Sequence, residues 1–125
     1  MKFLPPIPKG YQIYESRLEV AGIQHRKDSA LNFAKGSNQI IELEREKSNK
    51  HDPNAIKVIG VSKGWFFTKR NFIGYVPKEV SAHIIASKLW SDIQTRLEWI
   101  SVSDNGYVSI IFQLIGPKSK KDQYK

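Results

Sequence analysis

The side chains with the clearest capacity for chemistry lie in one turn-rich segment, Asn49–Ile56, which reads NKHDPNAI. His51 next to Asp52 would suit acid–base catalysis or a metal site. Sequence neighbours on an extended chain point in opposite directions, however, so adjacency alone does not make a dyad. We therefore favour a turn histidine beside a turn-forming aspartate. The Asp52 carboxylate is expected to accept backbone N–H bonds in an Asx-type turn, and Pro53 stiffens the next position.

The rest of the chain carries no pattern typical of an enzyme. There are no cysteines, which excludes disulfides, thiolate zinc sites and a cysteine nucleophile. We find neither a phosphate-cradling glycine loop nor a serine in a nucleophile-elbow pattern. A nuclease would need a carboxylate cluster, but Glu42, Glu44 and Glu46 alternate as they would along a solvated strand edge. The sequence therefore predicts no catalytic activity, no metal and no cofactor.

The charge of the chain points to a polyanionic partner. Twenty Lys and Arg against twelve Asp and Glu give a formal net charge of +8, and a domain this basic attracts nucleic acid. We expect three basic points to form a rim with Tyr75 and His51 as stacking surfaces, the last point opening a helix whose N-terminus attracts phosphate. For the second point taken alone, we favour a solvated turn. The basic residues are His25, Arg26 and Lys27, then Lys69 and Arg70, then Lys78.

The periodicity of apolar residues predicts about six strands and two helices. Proline is favoured at the first helical position, so Pro77 marks a helix start, and Asn105-Gly106 marks a tight hairpin turn. Six aromatic residues are expected in the core rather than as platforms for bases, namely Trp65, Phe66, Phe67, Phe72, Trp90 and Trp99. The strands are predicted over residues 17–23, 39–46, 55–61, 65–76 with a bend at 69–71, 93–103 and 107–115, and the helices over about 28–35 and 77–90.

This order of elements favours a mostly-β fold, a small and partly closed barrel with two appended helices, over a parallel α/β sheet. We expect an extended N-terminal segment over residues 1–16, one domain over 17–116, and a basic, mobile tail over 117–125. No apolar run approaches the ~18 residues that span a bilayer. The expected protein is cytoplasmic, with no membrane partner, and associated with the nucleoid if its source is bacterial.

Several sequence blocks, in a fixed order along the chain, together resemble the HIRAN domain. They are Val20-Ala21-Gly22-Ile23, Leu43-Glu44-Arg45-Glu46, the NKHDPNAI segment continued by Lys57 and Val58, and Ile73-Gly74-Tyr75-Val76-Pro77-Lys78-Glu79. The match covers roughly residues 18 to 115. The resemblance implies a modified OB-like barrel that binds single-stranded DNA, notably its free 3′ end, in DNA repair or stalled-fork processing, with a helicase or nuclease as a further partner.

The resemblance also assigns roles to particular residues. Asp52 matches an aspartate that accepts a hydrogen bond from the terminal 3′-hydroxyl, a task that suits an acceptor-only carboxylate. His51 matches a position beside the terminal nucleotide that is often tyrosine. Tyr75 stands where the family places a histidine near the DNA, and Lys78 matches a phosphate contact. Asn54 belongs to the same turn motif and is expected to support it.

The chain departs from the family at the end of the first strand. His25 and Arg26 replace a pair of aromatic residues, and Gln24 replaces an arginine. An imidazole or a guanidinium can still lie against a base, but the lost arginine removes one charge-assisted phosphate contact. Arg45 is expected to support the site by reaching turn carbonyls with its donor fork.

A second hypothesis competes with DNA binding. The chain would then be a protein-interaction adaptor whose basic surface, or whose tail Pro117–Lys125, docks on an acidic partner. Deleting the tail discriminates the two, since an adaptor would lose its partner while a DNA-binding domain would keep most of its affinity.

Overall fold

A computed structural model describes all residues, 1–125, and shows a mostly-β protein with three helices. None of these helices has the length and apolar character that crossing a membrane requires. The elements are β1 (Tyr11–Glu19), α1 (Lys27–Ala34), β2 (Ile40–Arg45), β3 (Ile56–Lys63), β4 (Thr68–Tyr75), α2 (Lys78–Ala86), β5 (Gln94–Val102), β6 (Val108–Pro117) and α3 (Lys121–Tyr124), with short 3-10 turns at Ile23–His25 and Lys118–Lys120.

The six strands form two antiparallel three-stranded sheets, in the orders β1-β6-β5 and β2-β3-β4. The sheets meet at two corners. At one, Ala21 and Tyr75 exchange two backbone hydrogen bonds of 2.8 Å. At the other, the Thr95 hydroxyl donates to the Ile41 carbonyl at 2.8 Å. The predicted mostly-β class is confirmed, but the two sheets do not join into a closed barrel.

The core lies between the two sheets and is completed by α1. Phe33 of this helix is fully buried and lies against the backbone of Gly60 in β3, where an added Cβ would come within 2.6 Å of its ring. Phe112 of β6 and Ile56 of β3 are equally buried on the facing strands. A side chain larger than glycine at position 60 would therefore push the helix away from the sheet.

The hairpin between β3 and β4 differs most from its prediction. The expected bend at residues 69–71 lies within β4, because the pairing of the two strands runs on to Lys63 and Thr68. The turn instead contains Trp65, Phe66 and Phe67, which are 97%, 90% and 67% exposed. Their placement in the core was therefore wrong. The hairpin extends beyond the body of the protein, so its apolar residues have nothing to pack against.

The two ends of the chain are more ordered than predicted. Strand β1 begins at Tyr11, so part of the expected N-terminal extension belongs to a sheet. The predicted mobile tail forms a 3-10 turn and α3. Tyr124 anchors it, since its ring stacks on Tyr14 and its hydroxyl donates to Glu15 at 2.7 Å. This helix brings the total to three rather than the two expected, because one buried aromatic outweighs the polar composition around it.

Candidate nucleic-acid interface

The segment between β2 and β3 is a loop held by its own side chains. The Asn49 Oδ1 atom accepts the backbone N–H groups of His51 and Asp52, both at 2.9 Å. Asp52 Oδ1 accepts the N–H of Asn54 at 3.0 Å, which forms the predicted Asx-type turn. The Ala55 N–H donates to the Asp52 carbonyl at 3.0 Å and closes the turn. The loop therefore has a fixed conformation that depends on few long-range contacts.

One oxygen of the Asp52 carboxylate remains available for a ligand. Only Oδ1 is used by the turn, and Oδ2 accepts no hydrogen bond from the protein. The residue is half-buried and forms no ion pair. A carboxylate oxygen accepts hydrogen bonds and never donates them when ionised. The Asp52 carboxylate therefore presents a fixed acceptor to any hydroxyl group that reaches the loop.

Glu46 connects this loop to the end of strand β4. Its Oε1 atom accepts the Asn49 side-chain amide and the Tyr75 hydroxyl, both at 2.7 Å, while Lys57 Nζ lies 3.4 Å from Oε2. The hydrogen bond from Tyr75, followed by that from Asn49, lowers the pKa of the Glu46 carboxyl. Burial and this hydrogen bond raise the pKa of Tyr75, so the phenol remains a donor to the carboxylate at neutral pH.

A cation–aromatic cluster, which we define as Arg26, Lys57, Phe72 and Tyr75, lies beside this connection. The Arg26 guanidinium stacks 3.4 Å from the centroid of the Phe72 ring, and Lys57 Nζ lies 4.9 Å from it. Tyr75 meets Phe72 edge to face at 5.3 Å. One face of the Arg26 guanidinium is thus covered by protein, which leaves at most its other face for the stacking role proposed from sequence.

The structure brings together three of the segments that were predicted to bind DNA. The bridge between Ala21 and Tyr75 and the stacking of Arg26 on Phe72 join residues 21–27 to the end of β4. Glu46 joins the Asp52 loop to the same place. The predicted residues on these segments are exposed and form no ion pair: His25 ends the 3-10 turn, Lys27 opens α1, His51 lies in the loop and Lys78 opens α2.

Two predicted cations lie elsewhere. Lys69 and Arg70 belong to the projecting part of the hairpin, with Arg70 five residues, or about 17 Å, from Tyr75 along β4. Arg70 pairs with Glu42 at 2.5 Å, whereas Lys69 forms no ion pair. The single rim expected from sequence is therefore divided between the two ends of the hairpin.

The supporting role expected of Arg45 takes a different form. Arg45 pairs with Ile56 in the β2–β3 ladder, but its side chain donates to no turn carbonyl and its Nε is buried without a partner. The loop is held instead by Asn49 and by Glu46, which was expected to lie on a solvated strand edge. An asparagine in a turn-rich segment is a sign of side-chain capping, but the sequence contains no sign of its partner.

Comparison with known proteins places this arrangement in context. The sequence model of the HIRAN domain matches residues 13–117 of the chain. The crystal structure of the HIRAN domain of human HLTF superposes with a TM-score of 0.52, covering 94% of this chain and 93% of that one at 23% sequence identity. At this identity the likeness is one of fold. No curated protein sequence matches the chain.

Proposed function

The chain belongs to the HIRAN domain family, whose members bind DNA, and we propose that it is a non-catalytic module that captures single-stranded DNA by its free 3′-hydroxyl end. The observation that carries the proposal is the unoccupied Oδ2 of Asp52, held by a self-bonded turn that Asn49 and Glu46 link to Tyr75. Such a module would present a DNA end to a helicase or nuclease in DNA repair or stalled-fork processing.

The chemistry of the turn explains a preference for a hydroxyl end. A 3′-hydroxyl would donate to Asp52 Oδ2 and form a charge-assisted hydrogen bond. A 3′-phosphate offers no donor when ionised and would be repelled by the carboxylate. Because Oδ1 is already bonded to the Asn54 N–H, the carboxylate needs little reorganisation when the hydroxyl arrives.

Cations without protein partners would bind the phosphates that precede the end. Lys27 and Lys78 are exposed, form no ion pair and open the two longer helices, where backbone N–H groups also favour anions. His25 and His51 are exposed and offer flat rings to a base. Binding to these groups would weaken steeply as salt is raised, because counterions are released from the DNA.

The adaptor hypothesis finds less support in the tail. Lys120 pairs with Asp92 at 2.9 Å, and Lys121 Nζ donates to the Ile13 carbonyl at 2.9 Å. These contacts and the burial of Tyr124 hold the tail against the domain. A segment docked in this way is less available to an acidic partner than a free tail.

The test is a fluorescence titration with single strands that differ only in a 3′-hydroxyl or a 3′-phosphate. The hydroxyl end should bind roughly 10- to 100-fold more tightly, as expected for one hydrogen bond to a charged group. Asp52→Ala should abolish the difference. Asp104→Ala removes an exposed carboxylate of the β5–β6 turn that forms no hydrogen bond or ion pair and should preserve it. Equal affinity of the unmodified protein for both ends would refute end recognition.

A further inference from the structure

The tip of the β3–β4 hairpin, which we call the aromatic tip and define as Trp65, Phe66 and Phe67, is the largest exposed apolar feature that the fold does not explain. Every residue from 63 to 70 is exposed. The hairpin is joined to the body at Lys63, whose N–H donates to the Ser37 carbonyl at 3.0 Å and whose carbonyl accepts the Asn38 side-chain amide at 3.1 Å. Within the turn, the Gly64 N–H donates to the Phe67 carbonyl at 3.0 Å. The three rings therefore contribute little to folding.

Exposed aromatic groups of this size usually mark a binding surface. Trp65 is 97% exposed and Phe66 is 90% exposed, so both faces of each ring are open. Open faces are what base stacking requires, and stacking tolerates any base because every base has a π-face.

The charge around the tip selects a polyanion. No Asp or Glu occurs between Asp52 and Glu79, a stretch that contains five basic residues. Lys63 and Lys69 flank the turn, are exposed and form no ion pair. In the projecting part of the hairpin, the Glu42 carboxylate of the neighbouring strand is paired with Arg70.

The hairpin also connects the tip to the proposed end-binding site. Tyr75 lies at one end of β4 and Thr68 at the other, seven residues or about 23 Å apart. Phe72 and Arg70 lie between them on the same face of β4 as Tyr75. The three residues pair with Ile59, Val61 and Lys57 of β3, which alternate along that strand and therefore share one face. One OB-type fold covers about 4 to 16 nucleotides of single strand. The longer footprints in this range are long enough to extend from the Asp52 loop to the tip.

We infer that the aromatic tip is a second contact for the same single strand, where Trp65 and Phe66 stack on bases upstream of the 3′ end and Lys63 and Lys69 bind the flanking phosphates. The inference rests on the proposed function, since the 3′ end would be held at the other end of the hairpin. It assigns this protein a longer nucleic-acid footprint than the Asp52 site alone requires, and one without base preference.

Oligonucleotide length tests the inference. Single strands with a 3′-hydroxyl and about 4 or about 16 nucleotides are titrated against the unmodified protein and the Trp65→Ala/Phe66→Ala variant. The variant should lose roughly 5- to 100-fold in affinity for the long strand, as expected for one or two stacked bases, and nothing for the short one. Both side chains are exposed, so an unchanged melting temperature is expected to confirm folding. Equal loss on both strands, or no loss on either, would overturn the inference.

A spectroscopic arm reports on stacking directly. Trp65 emission should be quenched by the long strand and not by the short one, and Trp65→Phe should remove that signal while retaining most of the affinity. An anionic membrane is the competing partner for an aromatic tip with basic flanks. If phosphatidylglycerol vesicles shift the Trp65 emission to the blue while the long strand leaves it unchanged, the tip binds lipid and the inference fails.

The two proposals fail in distinguishable ways. Loss of the Asp52-dependent preference for a hydroxyl end refutes end capture, whatever the tip does. If that preference stands while the long strand binds no more tightly than the short one, the second contact is refuted and end capture survives.

Discussion

The two ends of the β3–β4 hairpin are built on opposite principles. Near Tyr75, side chains are half-buried and joined by hydrogen bonds through Glu46 to the Asp52 loop. Near Trp65, three large rings extend into solvent from a turn that is closed by a backbone hydrogen bond. The first arrangement fixes an acceptor in place, which suits recognition of one chemical group. The second leaves faces open, which suits contact with any base. One end of the hairpin is thus suited to recognising a single chemical group, and the other end is suited to contacting any base.

Replacement of Glu46 should disrupt the end of the hairpin near Tyr75, which we call the ordered end. Glu46→Ala eliminates the acceptor for Asn49 and Tyr75 and leaves Lys57 with only the more distant Glu44. We expect a loss of about 1–3 kcal/mol in the free energy of unfolding, together with loss of the preference for a 3′-hydroxyl. Urea unfolding and the end titration measure the two effects.

Glu44→Ala is the matched control for that variant. Glu44 lies two residues earlier, is largely exposed and makes one 3.7 Å ion pair with Lys57. An exposed pair of this kind contributes little, so its removal should leave both stability and end preference nearly unchanged. If the two variants behave alike, Glu46 does not organise the loop.

The sequence predicts the ordered end better than the exposed one, for a physical reason. The Asx turn at Asp52 and the helix start at Pro77 depend on neighbours within a few residues, and both are found. The bond between Tyr75 and Glu46 spans 29 residues, and no local pattern encodes it.

The exposed end and the tail show the converse problem. Three consecutive aromatic residues were predicted to lie in the core because apolar periodicity does not reveal how far a hairpin projects beyond the sheet. Lys69 and Arg70 were predicted to form a bend because two consecutive charged residues are unusual inside a strand. They lie within β4 because both faces of the strand are exposed to solvent at this point. In the tail, one tyrosine among lysines is too small a signal to predict burial, although Tyr124 is only 4% exposed. The roles of the individual DNA-binding residues stay predictions.

Acid should loosen the Asp52 end and leave the tip unaffected. The pKa of Glu46 is lowered in the folded protein, mainly by the hydrogen bond from Tyr75. A depressed carboxyl pKa stabilises the fold above the unfolded value of 4.5, and this contribution is lost as the pH falls through the folded pKa. We expect amide exchange in residues 46–55, corrected for its intrinsic pH dependence, to increase below about pH 4.5 while residues 63–68, which contain no carboxylate, show no such change.

The Glu46→Gln variant supplies the control for the acid experiment. It keeps a side-chain oxygen for Tyr75 but has no proton to gain, so the loop should be somewhat more mobile at neutral pH and show less of the acid-induced increase. An undiminished response in this variant would assign the effect to a carboxyl other than Glu46.

The smallest expected effect is on the stability of the exposed end. Trp65→Ala removes a ring that is 97% exposed and contacts little of the fold, so the free energy of unfolding should change by less than about 0.5 kcal/mol. Gly60→Ala gives the contrast, because Gly60 is the fifth of the eight residues of β3 and an added Cβ there would come within 2.6 Å of the Phe33 ring. This variant should destabilise by about 1–3 kcal/mol. A clear loss of stability in Trp65→Ala, measured by urea unfolding, would mean that the tip packs against the body of the protein. Its exposure would then reflect no selection for binding, and the division of the hairpin into an ordered end and an open end would not hold.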